Sequence, residues 1–266
     1  MTTVHTLASG SSGNALVISC GETHLLLDAG ISCRRISTAL RELELTPADL
    51  TAILITHTHT DHIAGLSTLL KRCEAPVIGT RQTLWTLADR LGVGGGRLEP
   101  LEPGAPAALG DCQVSAFPTS HDAPGSCGYR IDTGDGNVGV LTDSGFVTDE
   151  AAETLTGVDL AVLEANHDVE TLQSGPYPYY LKRRILGAGG HLCNEEAARF
   201  AVALAGSGTE EIVLAHLSRE NNTPAMALRA VETALSAAGL SPALSVAPRD
   251  TLGPAHILAG RRVCRR

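Results

Sequence analysis

The segment Thr56-His57-Thr58-His59-Thr60-Asp61-His62 follows directly on the run Thr51-Ala52-Ile53-Leu54-Ile55, and that junction constrains the fold more than any other feature of the chain. A short β-branched and aliphatic run suits a strand buried in a sheet. The ligand-type side chains therefore sit where a strand gives way to a loop. In extended backbone, residues two apart share a face, so His57 and His59 can address one ion. Ile63, Leu66, Leu69, Leu70 and Cys73 then recur at helical spacing. That spacing predicts a helix over Gly65 to Cys73, with Asp61 and His62 at its approach and aimed at a second ion nearby. Three imidazoles and a carboxylate in this arrangement point to a binuclear hydrolytic centre.

Further runs end in the same way. Val138-Gly139-Val140-Leu141 leads to Asp143, Val162-Leu163 to Glu164, and Ile212-Val213-Leu214 to His216. Groups at the ends of several strands converge on one rim of a sheet, where rigid strands hold accessible loop residues in place. Strands are expected at Ala15 to Ser19, His24 to Asp28, Thr51 to Thr56, Gln113 to Pro118, Gly128 to Ile131, Asn137 to Thr142, Leu160 to Glu164 and Glu211 to His216. They alternate with helices over about Arg34 to Leu43, Gly65 to Cys73, Arg81 to Leu91, Asn194 to Ala205 and Pro224 to Ala238. This alternation is that of an α/β chain.

The 266 residues are 43% apolar but only 3% aromatic, so Leu, Val, Ile and Ala must fill the core. The glycine-rich breaks at Gly92 to Gly96 and Glu102 to Pro106 are too short for domain linkers, so a single domain over residues 1–266 is expected. No apolar stretch approaches the roughly 20 residues that span a bilayer, and the start lacks an export pattern, which implies a cytoplasmic protein without membrane association. Seven cysteines without a Cys-x-x-Cys pair argue against disulfide frameworks and structural zinc. A formal charge of −9 argues against coating nucleic acid over the whole surface, though it leaves room for a local basic groove. The closing run Arg261 to Arg266 reads as an exposed basic end.

A centre with two ions needs hard or borderline ligands, one bridging group and open positions for water and substrate. His57, His59 and His121 suit one ion and Asp61, His62 and His216 the other, with the two carboxylate oxygens of Asp143 as the bridge. Imidazole with carboxylate suits Zn²⁺ or Mn²⁺, and a water shared between two such ions becomes hydroxide near neutral pH.

Together these segments resemble the metallo-β-lactamase superfamily. The resemblance rests on Thr-His-Thr-His-Thr-Asp-His, Ser120-His121, Leu141-Thr142-Asp143-Ser144-Gly145 and Ala215-His216-Leu217-Ser218. Within it, the chain is most similar to the YycJ/WalJ (VicX) branch through Leu7 to Asn14, Leu25 to Gly30, Gly175 to Arg184 and Gly190 to Ala197, with Cys193 where that branch is expected to carry Ser. The resemblance implies a four-layer αββα sandwich, two metals in a cleft between the sheet edges, and DNA exonuclease activity of 5′ to 3′ direction connected with mismatch repair. Related tRNA-processing nucleases place a His in a setting similar to His191. That implies a proton-donating role for His191, with Glu164 as the carboxylate that orients it; Asp61 is the third candidate catalytic residue.

Candidate substrate contacts are more diffuse. Ser11, Ser12 and Asn14 lie in a glycine-rich turn that could nest a phosphate or simply join two strands. Ser218 and Asn221 follow His216. Three of the four tyrosines adjoin Lys182, Arg183 and Arg184, a composition that fits base stacking with phosphate contact as well as a packed lid. His167 and Asp168 are expected to support the site rather than bind metal, and His5, His24 and His256 to be structural. A DNA-directed phosphodiesterase is the leading expectation. A small-molecule ester or thioester hydrolase of the same fold, or an RNase, is the alternative.

Overall fold

The computed structural model describes residues 1–92 and 95–260, so the basic end at 261–266 lies outside the described residues, as do positions 93 and 94 of the glycine-rich break. Two seven-stranded sheets face each other. The first runs in the order β14 (His256–Leu258), β1 (Thr2–Ala8), β2 (Ala15–Cys20), β3 (Thr23–Leu27), β4 (Ala52–Leu54), β5 (Val77–Gly79), β6 (Leu98–Pro100). The second runs β13 (Ala243–Val246), β12 (Glu211–Ala215), β11 (Leu160–Glu164), β10 (Gly136–Leu141), β9 (Cys127–Thr133), β8 (Cys112–Pro118), β7 (Ala107–Leu109).

Both sheets share one plan: β14-β1-β2-β3 and β7-β8-β9-β10 pair antiparallel, whereas β3-β4-β5-β6 and β10-β11-β12-β13 pair parallel. Parallel strands are joined by helical crossovers, which must cover the outer face. Accordingly α1 (Cys33–Glu42), α2 (Thr60–Ile63), α3 (Leu66–Leu69) and α4 (Arg81–Leu91) lie in the first half of the chain. The second half supplies α5 (Asp149–Leu155), α6 (Val169–Ser174), α7 (Tyr179–Ile185), α8 (Asn194–Gly206) and α9 (Pro224–Ala237).

Burial follows these layers. Val4, Ile18, Leu25, Leu54, Val114, Tyr129, Val140, Val162 and Val213 form a core between the sheets. Leu26, Ile53 and Val77 turn the other way, onto Ile36, Leu40, Leu66, Leu84 and Leu87 of the helices. Leu141, Leu163 and Leu214 do likewise with Leu155, Phe200, Leu204, Val231 and Leu235. Successive residues of β3, β4 and β11 thus feed different cores, which is why those runs are continuously aliphatic rather than alternating. The expected αββα sandwich is the observed architecture.

Of the helix expected over Gly65 to Cys73 only the turn α3 (Leu66–Leu69) forms, set off at Gly65 from a separate turn, α2, that precedes it. A Cβ on Gly65 would lie 2.1 Å from the Ile31 carbonyl oxygen, and its N–H donates to Ala29 O at 2.8 Å. Gly65 keeps helical dihedrals, but its N–H is spent on the loop after β3 and the helical hydrogen-bond ladder is interrupted there. The first strand, Thr2–Ala8, went unanticipated because threonines occupy several of its inward positions. β5, β6, β7 and β14 are three residues each, too short to show a period.

Candidate metal centre

The parallel strands β3, β4, β10, β11 and β12 all deliver polar residues from their C-terminal ends to the same rim. Three of these residues, Asp28, Asp143 and His216, have positive φ of 61°, 57° and 55°. Left-handed backbone costs a side chain-bearing residue about 1–3 kcal/mol, and such residues concentrate where the surroundings over-determine a site. Here that turn swings each side chain out of the strand direction and into the space between the sheets.

Within that space, donor atoms fall into overlapping sets whose members lie within 4.8 Å of one another: His57, His59 and His121; Asp61, His62 and His216; His57, His62 and Asp143; and Asp143, Glu164, His191 and His216. All seven ligands anticipated from the sequence are therefore brought together. His121 Nε2 is 3.1 Å from His59 Nδ1, His216 Nε2 is 3.4 Å from Asp61 Oδ2, and His62 Nε2 is 3.5 Å from Asp61 Oδ2 and 3.2 Å from Asp143 Oδ2. Two ligands at ~2.0–2.1 Å from one tetrahedral ion stand about 3.3 Å apart, so these spacings fit cations held between them. His57 Nε2 and Asp143 Oδ2 are buried without a hydrogen-bond partner, as expected of atoms reserved for a metal.

The far side of four of the five rings is also committed. His62 Nδ1 donates to Asp28 Oδ2 at 2.7 Å, His216 Nδ1 to Glu164 Oε1 at 3.0 Å and His121 Nδ1 to Gly190 O at 2.9 Å; Thr56 Oγ1 lies 3.1 Å from His57 Nδ1. Such partners set the tautomer and leave Nε2 as the ligating atom. Asp28, which no expectation singled out, is 1% exposed and also accepts from Thr56 N (2.9 Å) and Thr56 Oγ1. Its signal was in the sequence: Leu25-Leu26-Leu27-Asp28 is another aliphatic run ending in a ligand-type side chain.

The charges make the same point. Burial pushes the His57 and His59 imidazoles down, with His62 adding to the effect at His57 and His121 at His59, so both are held neutral. Burial also opposes charge on His62 and His216, yet Asp143 with Asp28, and Asp143 with Asp61 and Glu164, overcome it; His216 rises to about 10. Burial favours neutral Asp61 and Asp143, but the surrounding imidazoles hold both ionised. Protons on these rings occupy the places where divalent cations would neutralise the carboxylates.

Beside the ligand sets, Glu164 is fully buried. It accepts from His191 Nδ1 (2.8 Å), Ser144 N (2.9 Å) and Leu192 N (3.3 Å) as well as from His216. Burial raises its carboxyl, but His191 and His216 bring it down to about 2. The His191 side chain is 18% exposed, with Nδ1 engaged, so Nε2 is the nitrogen left for proton exchange.

The anticipated substrate contacts separate. Ser11 and Ser12 are exposed at the tip between β1 and β2. Asn14 is buried instead: its Oδ1 accepts from Gly10 N (2.9 Å), and its Nδ2 reaches Asp61 O (3.3 Å) and His62 Nε2 (3.1 Å), so it braces the centre from within. Ser218 and Asn221 are also buried, with Asn221 N and Nδ2 both donating to Ser218 Oγ, which keeps them off the surface. Lys182 Nζ caps the carbonyls of Gln173 and Gly175 at 2.7 Å each, and Arg184 grips Asp122 at 2.5 and 3.0 Å. Of the three basic residues only Arg183 is uncommitted to a carboxylate or carbonyl, and it lies over the Tyr179 ring at 5.9 Å. Asp122, also missed, brings Oδ1 to 3.6 Å from both His59 and His121. Cys193 is the N-cap of α8, its sulfur accepting from Glu196 N at 3.5 Å. His167 is buried behind this corner, and burial lowers it to about 4.

Comparison with known proteins bears on this geometry. A family model described as a beta-lactamase superfamily domain matches residues 23–217. The exodeoxyribonuclease WalJ of Streptococcus pneumoniae serotype 2 (strain D39) is 37% identical over 248 residues, 92% of each chain. The chain belongs to the metallo-β-lactamase superfamily. Its family within it is that of the WalJ and YycJ exodeoxyribonucleases: the Bacillus anthracis YycJ is likewise 37% identical, over 88% of this chain and 89% of the relative. Among solved structures, the metallo-beta-lactamase fold protein YhfI of Bacillus subtilis superposes with a TM-score of 0.71 over 96% of this chain and all of that one, at 18% identity, a likeness of fold. Among the described residues no helix is long and apolar enough to cross a membrane.

Proposed function

We propose that the chain is a cytoplasmic, metal-dependent exodeoxyribonuclease, one hydrolase domain over residues 1–266 that removes nucleotides from a DNA end, in the 5′ to 3′ direction and in the service of mismatch repair. The observation that carries the reading is the pair of three-residue clusters, one member of each grouped with Asp143, in a chain 37% identical over about nine-tenths of its length to relatives named exodeoxyribonucleases. His57, His59 and His121 would hold one cation and Asp61, His62 and His216 the other, with Asp143 the carboxylate available to both. Bound zinc or manganese ions supply Lewis acidity and an acidified water at neutral pH. The protein's own residues supply orientation and protons. Asp28 and Glu164 fix the tautomers of His62 and His216. Glu164 holds His191 so that Nε2 can deliver a proton to the oxygen leaving phosphorus, the group that makes bond cleavage difficult. Asn14 steadies Asp61, and Arg184 holds Asp122 beside the His59 and His121 set.

End-labelled DNA and RNA, single- and double-stranded, are offered to the purified protein with Mn²⁺, Zn²⁺ or chelator, and products are sized over time. Stepwise shortening of DNA that stops with chelator is the expected result. Asp61→Asn should lower turnover by orders of magnitude in a folded protein; wild-type turnover would remove Asp61 from the mechanism. Hydrolysis of thioesters or small esters with intact DNA would overturn the proposal.

A further inference from the structure

Outside the metal cleft, the outer helical layer of the first sheet carries a concentration of unpaired positive charge. A groove of about 490 Å³ between α1 and α3 is lined by Arg34, Ser37, Thr38, Arg41, Thr68 and Arg72, together with Cys33, and no acidic residue lines it. It continues past Ser37, Arg41 and Arg72 toward Thr46 and Pro47, again without a carboxylate among its lining residues. The side chains of Arg34, Arg41 and Arg72 are exposed and form no hydrogen bond or ion pair with any described residue. Other arginines of the same surface behave differently: Arg35 and Arg219 are both paired with Asp250, and Arg81 with Glu102.

Arg41 stands in the last turn of α1, where a cation suits the helix dipole, but helix stability does not explain Arg34. Arg34 stands in the first turn of α1, which has no acidic residue there, so its charge opposes the positive end of the helix dipole. In a chain with 29 acidic and 20 basic residues, three arginines around one groove without a carboxylate among its lining, and with three hydroxyls between them, form a row of phosphate-type donors. Glu42 and Asp250 line the neighbouring hollow on the far side of Arg34 and Thr38. The two helices that flank the groove are tied to the site through the chain. The loop from Asp28 to Ser32 leads from the centre into α1. The backbone of Gly30 lies so close to α2 that a Cβ there would sit 1.6 Å from the Asp61 carbonyl oxygen. α2 carries Asp61 and His62 and runs on into α3, which carries Thr68. Both walls of the groove thus start from segments that position the metal ligands.

We infer that the groove between α1 and α3 is a track for the sugar–phosphate backbone of the nucleic-acid substrate, gripping phosphates outside the cleft through Arg34, Arg41 and Arg72. The inference rests on the proposed nuclease reading and supplies the anchoring contacts that Lys182 and Arg184, already engaged within the protein, do not. Backbone contacts of this kind bind without regard to sequence, as an exonuclease that must move along its substrate requires.

The test measures binding of the manganese-loaded protein to a fluorescent phosphorothioate 20-mer by anisotropy from 50 to 200 mM salt. It compares wild type, the triple variant Arg34→Ala/Arg41→Ala/Arg72→Ala, the charge-preserving triple variant with Lys at the same positions, and Arg229→Ala on α9 as an unrelated arginine. Each phosphate neutralised contributes about 0.7–0.9 to the slope of log affinity against log salt, so the alanine triple should lose about 2–3 from that slope. Wild type's advantage over it should then shrink about 20- to 40-fold across the salt range. The lysine triple should keep most of the slope and Arg229→Ala all of it. Equal slopes for wild type and the alanine triple, with DNA shortening by wild type intact, would overturn the track alone. Loss of binding to phosphatidylglycerol vesicles in place of the oligonucleotide would also overturn it, by making the face a lipid surface. Failure of wild type to bind or shorten any nucleic acid would remove the nuclease reading, and the track with it.

Discussion

Replacing Glu164 by Gln changes one buried charge and almost no volume, yet four donors face that carboxylate: His191 Nδ1, His216 Nδ1, Ser144 N and Leu192 N. An amide can accept on one side only. The two backbone N–H groups cannot reverse, so the less costly orientation turns the amide oxygen to Ser144 and Leu192 and its NH₂ to the imidazoles. Both rings must then accept at Nδ1, which moves their protons to Nε2 and takes His216 out of ligation. The opposite orientation leaves two buried N–H groups facing a donor, at about 1–3 kcal/mol each. Allowing for the relief of a buried charge, the chelated variant should be less stable by about 2–4 kcal/mol. For a chain of this size that is a midpoint lowered by roughly 5–15 °C. Cation affinity at the Asp61, His62 and His216 set should fall by about 10- to 100-fold. Thermal unfolding with chelator and metal content after dialysis report the two effects separately. His191→Ala is the control, because His191 lies outside the seven-ligand set and its loss should slow turnover without reducing bound metal. A Glu164→Gln protein with an unchanged midpoint and full metal content would refute the argument that four donors converge on an ionised carboxylate.

Other consequences are open to measurement. Asp28→Asn keeps a side chain that tolerates the left-handed backbone at φ 61° but removes the charge facing His62 Nδ1, so metal affinity should fall by about 10- to 100-fold with the fold retained; full occupancy in metal titration would show Asp28 to be passive. Cys193→Ser replaces a weak sulfur acceptor at the N-cap of α8 and should stabilise the protein by about 0.5–1 kcal/mol, seen as a higher unfolding midpoint. In chelator, His216 has its folded value raised from 6.5 to about 10, so its stabilisation is complete below pH 6.5 and disappears as pH climbs toward 10. Glu164 is lowered from 4.5 to about 2, so its contribution is present above pH 4.5 and disappears as pH drops toward 2. The chelated protein should therefore melt highest between about pH 4.5 and 6.5, and added Mn²⁺ should abolish the alkaline decline; a midpoint that rises from pH 6.5 to 9 without metal would contradict this.

The chemistry of this protein was legible in the chain because metal ligation restricts both residue type and spacing. Imidazole and carboxylate groups at the ends of aliphatic runs already announced an α/β layering and a common rim, and the seven candidate ligands meet there. Periodicity showed the long helices α1, α4, α8 and α9 for the same reason, since each must bury one stripe on a sheet. Tertiary structure alone decided the roles that depend on what stands opposite. Asp28 and Asp122 look like ordinary acids until folding brings His62 to the one and Arg184 to the other. Asn14, Ser218 and Asn221 read as available to substrate, but the fold buries all three, turning Asn14 Oδ1 to Gly10 and Asn221 Nδ2 to Ser218. Lys182 and Arg184 resembled a phosphate-binding run until a pair of carbonyls and a carboxylate came within their reach. Arg34, Arg41 and Arg72 are scattered in the sequence and share a groove only because the loop after β3 lies against α2. A residue's type limits the bonds it can make, whereas the partner is chosen by distance, and distance between remote residues exists only once the sheets have packed.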